Sequence, residues 1–448
     1  MSNLLRRVQN NSAELNNMYS VYGFNQNPFP IDPAVKPLSD DKRENGSIFL
    51  TDLRRDEIKE FTDNFIGKQM KIGFLMDYAT YRGRGIGKTA FLNYMKKEIN
   101  SDLGDKISNG KEVLYAIYVS PTSEKKDRTM PLIARNIFVS MYESDLFLTV
   151  FSRLRAFSEK IPEQVLDEVT DDYRTTIADD KWLYDHNINV NQLNSDVSKK
   201  LQGIGFDIQF EDMTLFHQTN SYAKFLDAIR LNTKDYYWQK EGCDYLFSKI
   251  VRLLQLADFT HCIILLDEVE KIVTYQNLSE RRSFCDGLRN YFIDGTSVNA
   301  LTGFFKVMLT IHPNSQELLM PHWKAAGLDR FSELGGTTAN SNTVFFKPLN
   351  QDDAEMTLKL TRIYLNNARE TESDSISPFT KDALLTAMYH ADNIPGKFLK
   401  SMYIAIEKGI EENWQTIDVD QINSLWESKK GKEELSSMTE LPETKIQL

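Results

Sequence analysis

The stretch "YRGRGIGKTAFLNYM", Tyr81 to Met95, constrains this chain more than any other. Before it, "KIGFLMDYA" (71–79) has the apolar density of a buried strand, and after it "TAFLNYMKKEI" (89–99) has the spacing of a helix. Strand, glycine-rich loop and helix in that order are the setting of the phosphate template G-x-x-x-x-G-K-[ST]. There, small residues let successive backbone N–H groups close around phosphate oxygens at a helix start. Gly87, Lys88 and Thr89 fit it, while Arg82 stands where the first template glycine falls and glycines follow at 83 and 85. The candidate cradle is Gly83, Arg84, Gly85, Ile86, Gly87, Lys88, Thr89 and Ala90. Lys88 would sit on the β- and γ-phosphates, and the Thr89 hydroxyl on Mg2+. A chance glycine-rich turn is the plainer alternative, and the flanking strand and helix count against it.

The rest of the chain supplies a sheet for that loop. "EVLYAIYVS" (112–120) completes a βαβ unit, and "HCIILLDEVEKIV" (261–273), "GFFKVMLTIHP" (303–313) and "NTVFFKPL" (342–349) read as further strands. Strands alternating with helices imply a parallel sheet covered on both faces, hence an α/β, parallel-sheet P-loop NTPase core. "LRRDEIKEFTDNFIGKQ" (53–69) has helical periodicity through Ile58, Phe61 and Phe65. Residues 131–259 read as mostly helical, as does the chain from Asn350 to about Glu412. In "CIILLDE", Asp267 and Glu268 end a buried strand, where a parallel sheet opens onto its ligand crevice. Asp267 is the second candidate for Mg2+, and Glu268 the candidate to polarise an attacking water. A strand ending in solvated acids is common when taken alone; beside a phosphate loop it points to hydrolysis. ATP and Mg2+ are therefore the expected cofactors.

Composition narrows the setting. The 53 basic and 64 acidic residues give a net charge of −11, which argues against a surface wholly devoted to nucleic acid. Three scattered cysteines, Cys243, Cys262 and Cys285, form neither a disulfide framework nor a zinc site and suit a reducing cytoplasm. The opening "MSNLLRRVQNNSAELNN" lacks the apolar core of a secretory signal. No stretch approaches the roughly 18 apolar residues of a membrane span. The expected location is cytoplasmic, without a membrane.

In these motifs the chain resembles the AAA+ ATPases, most of all the origin-recognition-like initiators and the related STAND-type ATPases. "YGFNQNPF" is similar to their adenine-side lead-in, "LRRDEIKEF" to the helix that follows, "RGRGIGKT" to Walker A and "IILLDE" to Walker B. "KVMLTIHPN" resembles the sensor-1 strand, with Thr310 favoured over His312 and Asn314, and "GLDRFSELGGTTANSNTVFFKPLN" the arginine-finger segment, with Arg330 as the finger. "PFTKDALLTAMYHADNIPGKFLKSMYIAIEKG" resembles the helical lid with sensor 2. There Asn393, Pro395, Gly396 and Lys397 depart from the usual Gly-x-Pro-Arg, leaving Lys397 as the candidate contact. The resemblance implies a homo-oligomer in which Arg330 reaches a neighbour's phosphate; otherwise Arg330 is a surface ion-pair residue.

Lys88 and Asp267 lie farther apart than one strand and its helices require, so the expected organisation includes a large, mainly helical insertion. The expected parts are a tail (1–20), the first part of the core (21–139), the insertion (140–243), the second part of the core (244–349), a C-terminal helical lid (350–425) and a flexible tail (426–448). Trp182, Tyr184, Tyr236, Tyr237 and Trp238 in the insertion suit stacking on bases or a partner, or a half-buried core. Two functions follow. One is an ATPase that assembles or remodels a DNA-associated complex, for which Lys125-Lys126-Arg128, Arg281-Arg282 and Lys429-Lys430 are candidate contacts, although no winged-helix segment follows the lid. The other is a STAND-like nucleotide-gated scaffold that recognises an unidentified protein partner, a role such proteins fill in bacterial anti-phage defence.

Overall fold

The structure is a computed structural model that describes residues 18–36, 39–77, 85–103, 113–121, 129–169, 172–210, 220–230, 240–336, 342–350 and 354–427. Its sheet has five strands: β1 Ile72–Asp77, β2 Leu114–Val119, β3 His261–Leu266, β4 Phe305–Ile311 and β5 Thr343–Phe346. Their order is β2-β3-β4-β1-β5, all parallel. β2 pairs with β3 from Leu114 opposite His261 to Val119 opposite Leu266, and β3 with β4 from Cys262 opposite Phe305 to Leu266 opposite Leu309. Every residue of β1 and β4 is buried. That explains why both are apolar on both faces apart from Asp77, Lys306 and Thr310, since a strand covered on both sides has no face to give to water.

Two expected elements differ in the structure. The run 261–273 is not one strand: β3 ends at Leu266 and a short helix, Glu270–Val273, follows. Between them, Glu268 takes a left-handed φ of 50°, which no strand continues through. The 53–69 helix is likewise a 3-10 turn at Thr51–Arg54, an α-helix at Arg55–Glu60 and a π-turn at Phe61–Ile66.

By its internal contacts the chain divides into two compact units, 1–61 with 75–95 and 344–448, and 62–74 with 96–343. In the first, helices Ala354–Asn367, Lys381–His390, Pro395–Glu411 and Val419–Glu427 share a core with the residues of the lead-in. Phe29 is fully buried, stacked on Tyr364 at 5.9 Å and edge-on to Phe379 at 6.0 Å. A buried side chain of this kind contributes about 1.5–3 kcal/mol. The lead-in is also tied by polar bonds, Tyr19 Oη donating to Glu407 at 2.6 Å and Tyr22 Oη to the Trp414 carbonyl at 2.7 Å.

In the second unit, the described residues between 140 and 243 are mostly helical and carry a small core of Ile161, Ile177, Leu183, Ile188, Val190 and Leu193. A buried polar network crosses it. Arg155 donates to Asp180, to Asn194 Oδ1 at 2.9 Å, and to the carbonyls of Ile177 (3.1 Å) and Ala178 (3.0 Å). Asp180 in turn accepts the Ser221 amide at 2.8 Å. Breaking one partner of such a buried pair typically costs about 3–5 kcal/mol. Trp182 stacks on His186 at 4.0 Å and Tyr184 is exposed, while Tyr236, Tyr237 and Trp238 lie outside the described residues.

Candidate functional site

The phosphate loop belongs to the first unit. β1 ends at Asp77 and the helix Lys88–Glu98 begins after Gly85, Ile86 and Gly87; Gly83 and Arg84 lie outside the described residues. Gly85 and Gly87 have φ of 83° and 102°, a left-handed region that a side chain would strain. Those turns bring the chain into the helix with its first N–H groups unclaimed by the helix itself, the usual basis of an anion cradle. Ile86 is buried, and Thr89 and Ala90 are half-buried in the first turn.

Lys88, the expected phosphate cation, is not idle: its Nζ donates to Asp77 Oδ2 at 2.5 Å. Asp77 is 1% exposed at its side chain and Lys88 18%. Arg54 supports the loop from another side. Its Nη2 donates to the Ile86 carbonyl at 2.6 Å, and its Nη1 to the Lys347 carbonyl and to Glu57, both at 2.9 Å. The guanidinium lies 4.7 Å from the centre of the Phe346 ring. Burial pulls its pKa down and the Glu57 carboxylate pulls it back.

The helix Pro395–Glu411 meets the loop at a glycine pair. The Gly396 amide donates to the Gly85 carbonyl at 2.8 Å, and a Cβ on Gly396 would stand 2.8 Å from Gly85 Cα and O. Lys397, in the first turn of the same helix, is held by Asp392 at 2.9 Å. Asn393 presents its carbonyl to the Leu349 amide at 3.0 Å.

The acidic residues Asp267 and Glu268 belong to the second unit. Asp267 is buried, and its carboxylate accepts from Thr310 Oγ1 at 2.6 Å, from the Glu268 amide at 2.9 Å and from Tyr118 Oη at 2.9 Å. Thr310, at the end of β4, also accepts the Glu268 amide at 2.7 Å. Burial, then the charge of Asp267, pushes the Tyr118 phenol pKa well above its usual value. This fixes Tyr118 as a donor. Glu268 is partly exposed, and its Oε2 accepts from Ser120 Oγ at 3.1 Å and from Lys271. His312 caps the helix Pro313–Ala325, accepting the Asn314 amide at 3.4 Å. Arg330 ends a 3-10 turn, Leu328–Arg330, and is exposed.

The structure therefore brings Asp267, Glu268 and Thr310 together, and brings Gly85 to Gly396. Asp77, Arg54, Tyr118, Ser120 and Lys271 were not among the expected site residues. Asp77 carried the clearest signal, a carboxylate closing an apolar run just before the glycines. Tyr118 lies near the end of β2 and Ser120 just beyond it, two residues apart, and Arg54 stands three residues before Glu57. Among the described residues no three His, Cys, Asp or Glu side chains cluster as a metal site. A magnesium held here would rely on a hydroxyl, a carboxylate, phosphate oxygens and water, the usual habit of that ion.

The fold and the strand–loop–helix at β1 are compatible with a P-loop NTPase-like core. No protein-family model and no curated protein matches the chain. Among solved structures, the Walker-type ATPase PABY2304 of Pyrococcus abyssi is similar at 13% identity and a TM-score of 0.39, over 88% of this chain and 74% of that one.

Proposed function

We propose that this chain binds and hydrolyses Mg-ATP as an AAA+-like P-loop ATPase. Two strands of one parallel sheet, β1 and β3, end respectively in a left-handed glycine loop with Lys88 and in Asp267 fixed by three donors. That coincidence carries the reading, because ligands of open parallel sheets bind outside the carboxyl ends of strands. Lys88 and the loop amides would bind the phosphates, and Thr89 and Asp267 would hold Mg2+, which would supply neutralisation of the charge that develops on the phosphates. Thr310 and Tyr118 hold Asp267 in one orientation. Glu268 takes the proton of the attacking water, while Lys397 and the neighbouring copy's arginine at position 330 complete the charge around the γ-phosphate.

Turnover drives assembly or remodelling of a DNA-associated complex, or, in the second reading, gates a scaffold for a protein partner. The second draws support from Arg281 and Arg282. Arg281 already donates to the Val273 carbonyl and Arg282 pairs with Asp286, while Lys125, Lys126, Arg128, Lys429 and Lys430 lie outside the described residues. A DNA mobility assay with ATP at low salt separates the two.

The test of the enzyme itself is binding and turnover of Mg-ATP. Lys88→Ala should lose binding by at least about tenfold, whereas Glu268→Gln should keep binding and lose turnover by about 10²–10⁴. A Glu268→Gln protein as fast as the parent would remove Glu268 from the chemistry, and a parent that binds no nucleotide would end the reading.

A further inference from the structure

Asp77 has no part in the chemistry just described, yet β1 delivers it into direct contact with Lys88, the lysine of the phosphate loop. Its side chain is 1% exposed, and its Oδ2 takes the Lys88 ammonium at 2.5 Å. Its other oxygen, Oδ1, is buried and has no hydrogen-bond partner among the described residues. The second cation of this region, Arg54, is engaged with Glu57 and with the carbonyls of Ile86 and Lys347. A carboxylate so far from water is costly to leave alone. A phosphate drawing on Lys88 therefore competes with an anion already in place, and approaches a neutral pair in place of a bare cation.

We propose that Asp77 is a resident anion that sets the affinity of the phosphate loop: it holds Lys88 in a neutral pair, opposes capture of phosphate and recaptures the lysine when phosphate leaves. The inference rests on the reading of Lys88 as the phosphate-binding lysine. Asp77 acts through Lys88 and is a positioning residue. Its opposite, a carboxylate that merely aims the lysine at the ligand, predicts changes of the reverse sign.

The experiment compares the parent with Asp77→Asn, which keeps shape and removes charge, and with Asp77→Ser as a smaller replacement should the amide disturb the end of β1. Circular dichroism verifies that each is folded. Three quantities are read: the rate at which an amine-acylating reagent labels Lys88 without nucleotide, dissociation constants for Mg-ATP, Mg-ADP and inorganic triphosphate, and KM separately from kcat. Expected are labelling of Lys88 at least about fivefold faster, binding of all three ligands about tenfold tighter, and a lower KM without a rise in kcat. Unchanged labelling, or binding weakened by loss of the carboxylate, would overturn the proposal. If inorganic triphosphate binds and tightens in the variants while adenine nucleotides bind to none of the proteins, the resident anion stands and the nucleotide reading falls. If no protein binds any phosphate ligand, both fall.

Discussion

His261 opens β3 half-buried, and burial together with the charge of Lys306 pulls its imidazole from 6.5 to about 4. The unfolded chain then binds a proton that the folded chain refuses between those two values. Stability contributed by the neutral ring is present above pH 6.5 and is lost as pH falls toward about 4. Thermal unfolding of His261→Gln across that range should show a shallower fall of stability with acid than the parent, with little difference at pH 7. At this scale the sequence singles out candidates by residue type and motif, as at Lys88, Asp267 and Glu268. It was silent about the partners of those residues. Tyr118 and Ser120 look like ordinary members of "YAIYVS", and their hydrogen bonds to Asp267 and Glu268 exist only because β2 lies beside β3. Arg54 reads as a solvated helix residue until the turn Thr51–Arg54 buries it.

Among the elements, the helix Pro395–Glu411 places its second residue against the loop between β1 and the helix Lys88–Glu98. Both sides of that contact are backbone, so an added methyl has nothing flexible to push aside. Gly396→Ala should move the helix start off Gly85 and weaken Mg-ATP binding by about tenfold or more while the far-UV spectrum stays that of the parent. Nucleotide titration checks the first and circular dichroism the second. Binding equal to that of the parent would mean that this contact has no share in shaping the loop. The elements themselves were legible because strands buried on both faces and amphipathic helices leave different periodicities. What could not be read was the break after Leu266. The apolar residues Val269, Ile272 and Val273 continue the run in composition, and only the left-handed turn at Glu268 sends them into a helix.

For the molecule as a whole, the position of Arg330 sets a prediction about assembly. It is exposed at the end of a short turn and makes no ion pair or hydrogen bond among the described residues. If copies complete one another's sites, Lys88→Ala and Arg330→Ala should each be nearly inactive alone, the latter down by about 10³-fold. An equal mixture of the two should recover a measurable share of parental turnover, through interfaces that pair an intact loop with an intact arginine. A mixture no more active than its components would remove the shared site. The large-scale plan was partly visible in sequence, since the spacing of Lys88 and Asp267 required extra chain between β2 and β3. The packing inside that chain was not, because Arg155 and Asp180 look like surface charges until five helical segments, their own included, come together around them.

Phe24 and Phe29 also have a consequence in time. Their packing partners, Tyr364, Phe379 and the helices around them, are about 340 residues further along the chain. At the roughly 5–20 residues per second of protein synthesis, the early aromatics wait tens of seconds on the ribosome before anything exists to cover them. During that wait they are uncovered apolar surface, and a chain cut short before residue 354 would lack the helices that cover them. The same stitching that closes the first unit thus makes the burial of its earliest aromatics wait on the synthesis of residues 358–425.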